Sequence, residues 1–311
     1  MTTNTDTKRL IVIVGATGSG KTDLSTALAR RLHAPIISTD SRQIYRDIPV
    51  GTAQPSPEQL AAAEHHFIAT HALTEDFSCG EFEARASELL DRLFATHDTV
   101  LAVGGSGLYI QALCDGIDDL PKADAELRSR LNARLRDEGL QSLLQELERL
   151  DPDYYGEVDR DNPSRVLRAV EVCMQTGQPY SSLRKGVRRK RNYDIIKIGI
   201  DMPREVLYDR INRRVDAMMA EGLEQEARRV SHLRHLNSLR TVGYREMFEW
   251  FDGTISREEA VELIKRNSRR YAKRQMTWFR RDKSIRWFPA GNTDAVTEYL
   301  SSIIPNMTET E

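Results

Sequence analysis

The sequence predicts an α/β protein with a P-loop NTPase-like parallel sheet flanked by helices, interrupted by an all-helical insertion. Three observations carry this. RLIVIVGATGSGKTDLSTALARRL reads as strand, glycine-rich loop and helix. Short apolar strands then alternate with helical segments, the pattern of a parallel sheet with crossover helices. A long stretch from about Asp118 to Arg191 has helical periodicity and no convincing strand.

The elements follow in order. The first apolar run ends at Val14, and the next helix should run from Lys21 to Leu32. APIISTD reads as a second short strand ending at Asp40, and DTVLAVGGSGLYIQAL as a strand that breaks at Gly104-Gly105 and turns into a helix. Ligands of parallel sheets bind beyond the carboxyl ends of the strands. Gly15–Thr22, Asp40 and Gly104–Ser106 are all placed at such ends. In the insertion, DAELRSRLNARLRDEGLQSLLQELERL is helical by period. After it, Asn162 is an N-cap with Pro163 at the first helical position and Gly177 closing the helix. DIIKIGI, Asp194 to Ile200, returns to strand character. The remainder is mostly helix, ending in the polar tail NMTETE. The expected division is a phosphate-loop core of residues 1–117 and 192–311 with a helical insertion at 118–191.

A chain of 311 residues with 40% hydrophobic content can bury one large domain and a smaller one. No apolar run approaches the ~20 residues of a membrane span. The polar MTTNTDTKRL and the five-residue LIVIV do not make a signal-peptide core. A cytoplasmic protein, with no membrane partner and monomeric, is expected. Cys79, Cys114 and Cys173 lack metal or disulfide spacing and read as buried free thiols. The net charge of −2 hides an asymmetry: residues 1–150 balance to −7 and residues 151–311 to +5. LRKGVRRKR (Leu183 to Arg191) holds six basic residues, and KRNSRRYAKRQMTWFRRDKSIR (Lys265 to Arg286) holds ten, interleaved with Tyr271, Trp278 and Phe279. One such cluster is commonly a solvated helix face; two beside a phosphate loop point to a nucleic acid.

Gly15-Ala16-Thr17-Gly18-Ser19-Gly20-Lys21-Thr22 matches the phosphate-loop pattern in full, after a strand and opening a helix. Backbone N–H groups and the helix dipole favour phosphate oxygens, Lys21 adds a point charge, and the Thr22 hydroxyl can join a Mg²⁺ shell. The motif is usually read as ATP-binding, yet any suitable polyphosphate satisfies it. A phosphoryl-transfer enzyme of this class also has an apolar strand ending in a metal-holding aspartate. Here TVLAV ends in Gly104-Gly105-Ser106 instead. The available carboxylate is Asp40, either a turn residue or an acid that accepts a proton from an incoming nucleophile.

GATGSGKT, IISTDSRQIYR, GTAQP, VGGSGLYIQAL, DNPSRVLRAVEV, TVGYRE and AKRQMTWFR occur here in one order. Over residues 9 to 288 this resembles the bacterial tRNA dimethylallyltransferases. The resemblance implies that the phosphate loop holds the diphosphate of dimethylallyl diphosphate with Mg²⁺. The prenyl group then moves to N6 of the adenosine 3′ of the anticodon. It further implies contacts to the diphosphate or prenyl substrate from Thr17 to Thr22, and catalytic roles for Asp40, Thr22 and Arg214, with Arg213 adjacent and competing for the last alignment. Asp40, Ser41, Arg42 and Gln43 are implied to meet the target adenosine. Ser106 stands where the family more often has threonine. The tRNA, through its anticodon stem-loop, is implied to meet Arg128, the segment Ser164, Arg165, Val166, Leu167 and Arg168, and the loop Arg240, Thr241, Val242, Gly243, Tyr244 and Arg245. Arg165 and Arg168 share one helix face, and Tyr244 is placed to stack on a base.

Two features stay outside this scheme. His232 and His235 have metal-compatible spacing but no third ligand, and read as a solvated helix face. EHHFIATHAL puts three histidines near the site as packing or hydrogen-bonding groups. The competing functions are a prenyltransferase acting on free adenine nucleotide, a small-molecule kinase, and a non-enzymatic RNA-binding protein. None of the three uses both the phosphate loop with Asp40 and the helical, basic second half as fully.

Overall fold

The computed structural model describes residues 7–186 and 188–304; the polar tail NMTETE lies outside the described residues. The structure divides into two compact units, one formed by Met1–Cys114 with Arg191–Glu311 and the other by Asp115–Lys190.

The first unit is built on six parallel strands: β1 (Arg9–Gly15), β2 (Ile36–Ser38), β3 (His65–His66), β4 (Thr99–Gly104), β5 (Asp194–Asp201) and β6 (Arg286–Pro289), in the order β3-β2-β4-β1-β5-β6. Leu10 to Val14 are wholly buried because helices cover both faces of the sheet. Leu10, Val12 and Val14 pack toward the helices Cys79–Phe94 and Gly107–Asp115, while Ile11 and Ile13 pack toward Lys21–Leu32 and Thr293–Ile303. A third cluster joins Ile44, Ile48 and Leu73 to the helices Arg204–Ala220, Leu223–Val230, Tyr244–Phe251 and Arg257–Phe279. The parallel sheet and flanking helices agree with the sequence expectation, and Lys21–Leu32 matches residue for residue. β2 stops at Ser38, so Asp40 lies two residues past the strand rather than at its last position. β3 and β6 carry no sequence signature, being two and four residues long at the sheet edges.

The regular elements among the described residues of the second unit are all helices: Ala125–Asp137, Leu140–Leu150, Pro152–Glu157, Pro163–Thr176 and Tyr180–Leu183. The long amphipathic stretch is two helices, because Gly139 takes φ 81°, a left-handed value that an L side chain resists. The Asn162 side chain accepts the Arg165 N–H and caps the helix that begins at Pro163, and Gly177 ends it at φ 68°. Leu131, Leu143, Leu147, Val166 and Val170 form its core.

Candidate active site

The phosphate loop leaves β1 and winds back onto itself. Gly18 and Gly20 hold φ of 79° and 89°. The Ser19 N–H donates to the Ala16 carbonyl at 3.2 Å. Lys21 Nζ donates to the same oxygen at 2.6 Å, so an incoming anion competes with that carbonyl for the ammonium. Burial pushes the Lys21 pKa down to about 7; the neighbouring Arg214 charge pushes the same way, and Asp40 opposes both. Arg214 is itself lowered by burial, again against Asp40. The competing Arg213 is exposed and paired with Asp209 at 2.5 Å, so Arg214 is the arginine that faces the loop's lysine. Gly15 and Ala16 are interior scaffold rather than ligand surface: a Cβ on Gly15 would press on Ser19 Oγ, and Ala16 is buried with its carbonyl taken. The Thr17 N–H is also committed, to Gln275 Oε1 at 2.9 Å. Thr17, Lys21 and Thr22 line the cavity.

Asp40 is a turn residue that also faces the cavity. Its Oδ1 accepts the N–H of Arg42 at 2.8 Å and of Gln43 at 3.4 Å, fixing a turn. Its second oxygen has no hydrogen-bond partner among the described residues, and the residue lines the cavity. The turn presents the carboxylate instead of merely closing the chain. Ser106 proves to be part of that support. Its hydroxyl donates to Ser41 Oγ at 3.2 Å and accepts the Ser41 N–H at 3.0 Å, and it is not a cavity wall. Gln43 donates to Ala53 O at 2.9 Å, tying the turn to the following loop.

The cavity has a volume of about 460 Å³. Lys21, Thr22 and Arg214 form one wall with Asp40, and the loop Arg240–Gly243 with Arg245 forms another. Tyr244 does not join them. It is fully buried, its hydroxyl donates to Glu226 Oε1 at 2.5 Å, and its ring lies where a side chain on Gly51 would be. Tyr244 therefore anchors the loop from behind and stacks on no base. Tyr271 and Arg274, which sequence reasoning passed over, do line the cavity. Burial and the nearby Asp40 charge raise the Tyr271 hydroxyl to about 12. The signal for them was present: both sit on the helix Arg257–Phe279 within the basic aromatic run, whose facing the sequence leaves unset.

The same helix explains the glycines after β4. A Cβ on Gly104 would overlap Thr39, one on Gly105 would overlap the Gln275 carboxamide, and one on Gly107 would overlap the Trp278 ring. A chain of close approaches, rather than phosphate binding, accounts for Gly-Gly-Ser-Gly.

In the second unit, Arg128 and Arg168 both clasp Glu171, a wholly buried carboxylate. Burial alone would raise Glu171; the two guanidinium groups overcome it and leave the carboxyl below its usual range. Arg168 also donates to Pro121 O at 2.6 Å. These arginines are thus structural first, and Arg165 and Ser164 are the exposed members of the segment. Val166 and Leu167 are buried in the helical core and offer no surface for RNA. The basic runs divide similarly. Arg191 is buried against Glu83 at 2.9 Å, and Arg184 lies over the Tyr154 and Tyr180 rings. In the second run Lys265 pairs with Asp216 at 2.8 Å and Arg280 with Asp201 at 2.5 Å. Arg266, Arg270 and Lys273 are exposed, at the i, i+4, i+7 spacing of one helix stripe.

His65 and His66 form the edge strand β3, and His71 binds Thr70 and Arg85; none lines the cavity. His232 and His235 are exposed on a 3₁₀ turn and just beyond it, not on a longer helix. Cys114 and Cys173 are buried, whereas Cys79 is half-buried. No cluster of three or more His, Cys, Asp or Glu side chains forms a metal cage among the described residues. The donors beside the loop are the Thr22 hydroxyl and the Asp40 carboxylate. That set fits Mg²⁺, which keeps waters and takes most remaining oxygens from a bound phosphate.

A cavity lined by the cations Lys21 and Arg214 with the Asp40 carboxylate beside them can stabilise an anionic leaving group while taking a proton from an attacking group. Relatives match most of the chain. The tRNA dimethylallyltransferase 2 of Parabacteroides distasonis is 50% identical over 295 residues, covering 95% of this chain and 99% of that protein. The tRNA dimethylallyltransferase 1 of Porphyromonas gingivalis W83 is 53% identical over 279 residues, covering 90% and 93%. Among solved structures, the tRNA isopentenylpyrophosphate transferase of Bacillus halodurans superposes with a TM-score of 0.70 at 37% identity, covering 95% of each chain. A eukaryotic dimethylallyltransferase acting on tRNA shares the fold, with a TM-score of 0.77 at 24% identity over 94% of this chain and 78% of that one. The IPP transferase family model matches residues 43–282. With a model match over most of its length and relatives at half identity over most of the chain, this chain belongs to the IPP transferase family, a family of transferases that includes the tRNA dimethylallyltransferases.

Proposed function

We propose that this chain is a tRNA dimethylallyltransferase. It transfers the dimethylallyl group from dimethylallyl diphosphate to N6 of the adenosine 3′ of the anticodon and releases diphosphate. The observation that carries this reading is one cavity lined together by Lys21, Thr22, Arg214 and Asp40.

The chemistry follows from those groups. The N6 lone pair attacks the allylic C1, the C1–O bond to the diphosphate breaks, and the electron pair leaves with the diphosphate. The amine proton goes to the Asp40 oxygen that has no hydrogen-bond partner among the described residues, as the base. Lys21, Arg214 and the N-terminal N–H groups of the helix Lys21–Leu32 neutralise the leaving group. When bound, Mg²⁺ would lie by the Thr22 hydroxyl and add positive charge to the diphosphate. Because the product carries no transferred phosphoryl group, the chemistry needs no metal-holding aspartate at the end of β4. The loop then serves prenyl diphosphate rather than ATP.

The proposed RNA-contacting residues are, in the first unit, the cavity-lining Arg240 and Arg245 and the stripe Arg266, Arg270 and Lys273, and, in the helical unit taken by itself, Arg165 with Ser164. The reading includes a cytoplasmic monomer; among the described residues no helix is long and apolar enough to cross a membrane. The test is mass spectrometry of nucleosides from unmodified tRNA incubated with dimethylallyl diphosphate and the protein. Prenylated adenosine in the anticodon loop supports the reading. Its absence, or prenylation of AMP in preference to tRNA, refutes it.

A further inference from the structure

Gln275 is a buried side chain near the C-terminal end of the helix Arg257–Phe279, with 6% of its surface exposed. Its Oε1 accepts the Thr17 N–H at 2.9 Å and its Nε2 donates to the Gly105 carbonyl at 2.9 Å. The two backbone groups fix which end of the carboxamide is which, since one can only donate and the other only accept. They belong to different strand ends: Thr17 is two residues past β1 and Gly105 one residue past β4.

Each neighbour of this bridge leads to a reacting group. Thr17 opens the turn that carries Lys21 and Thr22. Gly104 lies against Thr39, whose next residue is Asp40, closely enough that a Cβ would overlap it. Gly105 admits the carboxamide only because it has no side chain. Both loops are glycine-rich and compliant. A buried amide satisfied at both ends is a spacer of fixed length between them.

We propose that Gln275 is a positioning residue, whose carboxamide sets the distance between the phosphate loop and the turn that carries Asp40. The inference rests on the proposed roles of those two groups. Transfer requires the leaving group and the base to be held around one small substrate, and misplacement of about 1 Å costs roughly 10²-fold in rate. Gln275 touches no reacting atom and acts through the two backbones it joins.

The test compares Gln275→Leu and Gln275→Glu with the wild-type protein. Three measurements are made: prenyl transfer to full-length tRNA, binding of inorganic pyrophosphate by calorimetry, and thermal unfolding. Leucine keeps the volume and removes both hydrogen bonds. The expected result is a kcat lower by about 10²-fold with the KM for tRNA within about threefold, and weakened pyrophosphate binding. Glutamate can accept from Thr17 but donates to Gly105 only when protonated. Its kcat relative to wild type should therefore rise as pH falls, by more than the pH-dependent gain in folded protein read from the unfolding curves accounts for. A Leu variant with wild-type kcat and pyrophosphate affinity, even at a lower unfolding midpoint, overturns the proposal. So does a Glu variant whose pH profile parallels wild type. Should Leu prevent folding, the Glu profile decides alone. If the wild-type protein binds pyrophosphate but prenylates no tRNA, the functional reading fails. Pyrophosphate binding by the variants then still decides whether Gln275 positions the loop.

Discussion

The Tyr244 hydroxyl donates to Glu226 Oε1 at 2.5 Å, and the same buried carboxylate accepts the N–H groups of Gly51 at 2.8 Å and Val50 at 2.9 Å. Two motifs far apart in sequence, GTAQP and TVGYRE, thus meet on one acid. Tyr244→Phe removes a donor from a fully buried carboxylate, a loss of about 1–3 kcal/mol. Thermal unfolding should show a midpoint lower by several degrees, while tRNA affinity of the folded protein stays within about twofold. A large, selective loss of RNA binding at unchanged stability would instead restore Tyr244 as a base-stacking residue.

Lys21 gives pyrophosphate binding a pH dependence of definite sign. Burial and Arg214 hold its pKa near 7 in the free protein, well below the usual lysine value. A bound anion stabilises the ammonium and raises that value. Binding should therefore take up protons near and above pH 7. Affinity is full below about pH 7 and weakens by up to about tenfold per pH unit as pH rises above it. Calorimetry in two buffers of different ionisation enthalpy reads the proton uptake directly. Lys21→Met should bind weakly at all pH values and take up fewer protons than wild type, the difference being the Lys21 contribution.

Asp40→Asn keeps an oxygen able to accept the Arg42 N–H, so the turn survives. It loses the base. Single-turnover transfer should fall by about 10²- to 10⁴-fold while tRNA binding changes by no more than a few fold. A near-wild-type rate would remove Asp40 from the mechanism.

Arg165 and Arg168 lie on one helix, yet the two substitutions should behave differently. Arg165 is exposed, so Arg165→Ala should weaken tRNA binding and reduce the slope of log K against log salt by about 0.7–0.9. Arg168 neutralises the buried Glu171, so Arg168→Ala leaves an underpaired buried charge and should destabilise the helical unit by about 3–5 kcal/mol. Because Glu171 titrates below its ordinary value, its contribution is present above the unfolded carboxyl pKa and is lost as pH falls through the folded one. Salt-dependent binding isotherms and acid unfolding curves on both variants separate the two roles.

Along the cationic stripe, Arg266→Ala, Arg270→Ala and Lys273→Ala each remove an exposed charge. Each should lower tRNA affinity about uniformly across tRNA species and lessen its salt dependence, with the KM for dimethylallyl diphosphate unchanged. Parallel isotherms and steady-state kinetics provide the check.

The sequence by itself determined what local chemistry determines. Gly15 to Thr22 has one sterically sensible conformation between an apolar strand and a helix, so the phosphate loop was legible from composition and order. The cap at Asn162 and the stop at Gly177 were legible for the same reason: each depends on hydrogen bonds and backbone angles within a few residues. Tertiary structure decided what depends on facing. Whether Arg213 or Arg214 meets the loop turns on 100° of helix rotation, which adjacent arginines leave open until the helix Arg204–Ala220 packs. Tyr244 and Gln275 are polar residues that a sequence suggests for solvent or substrate. Burial against Glu226 and between Thr17 and Gly105 turned them into supports, because a buried polar group needs its partners, and those partners lie more than a dozen residues away in sequence. Arg128 and Arg168 became structural by the same rule, since the cost of burying Glu171 requires opposing charge beside it.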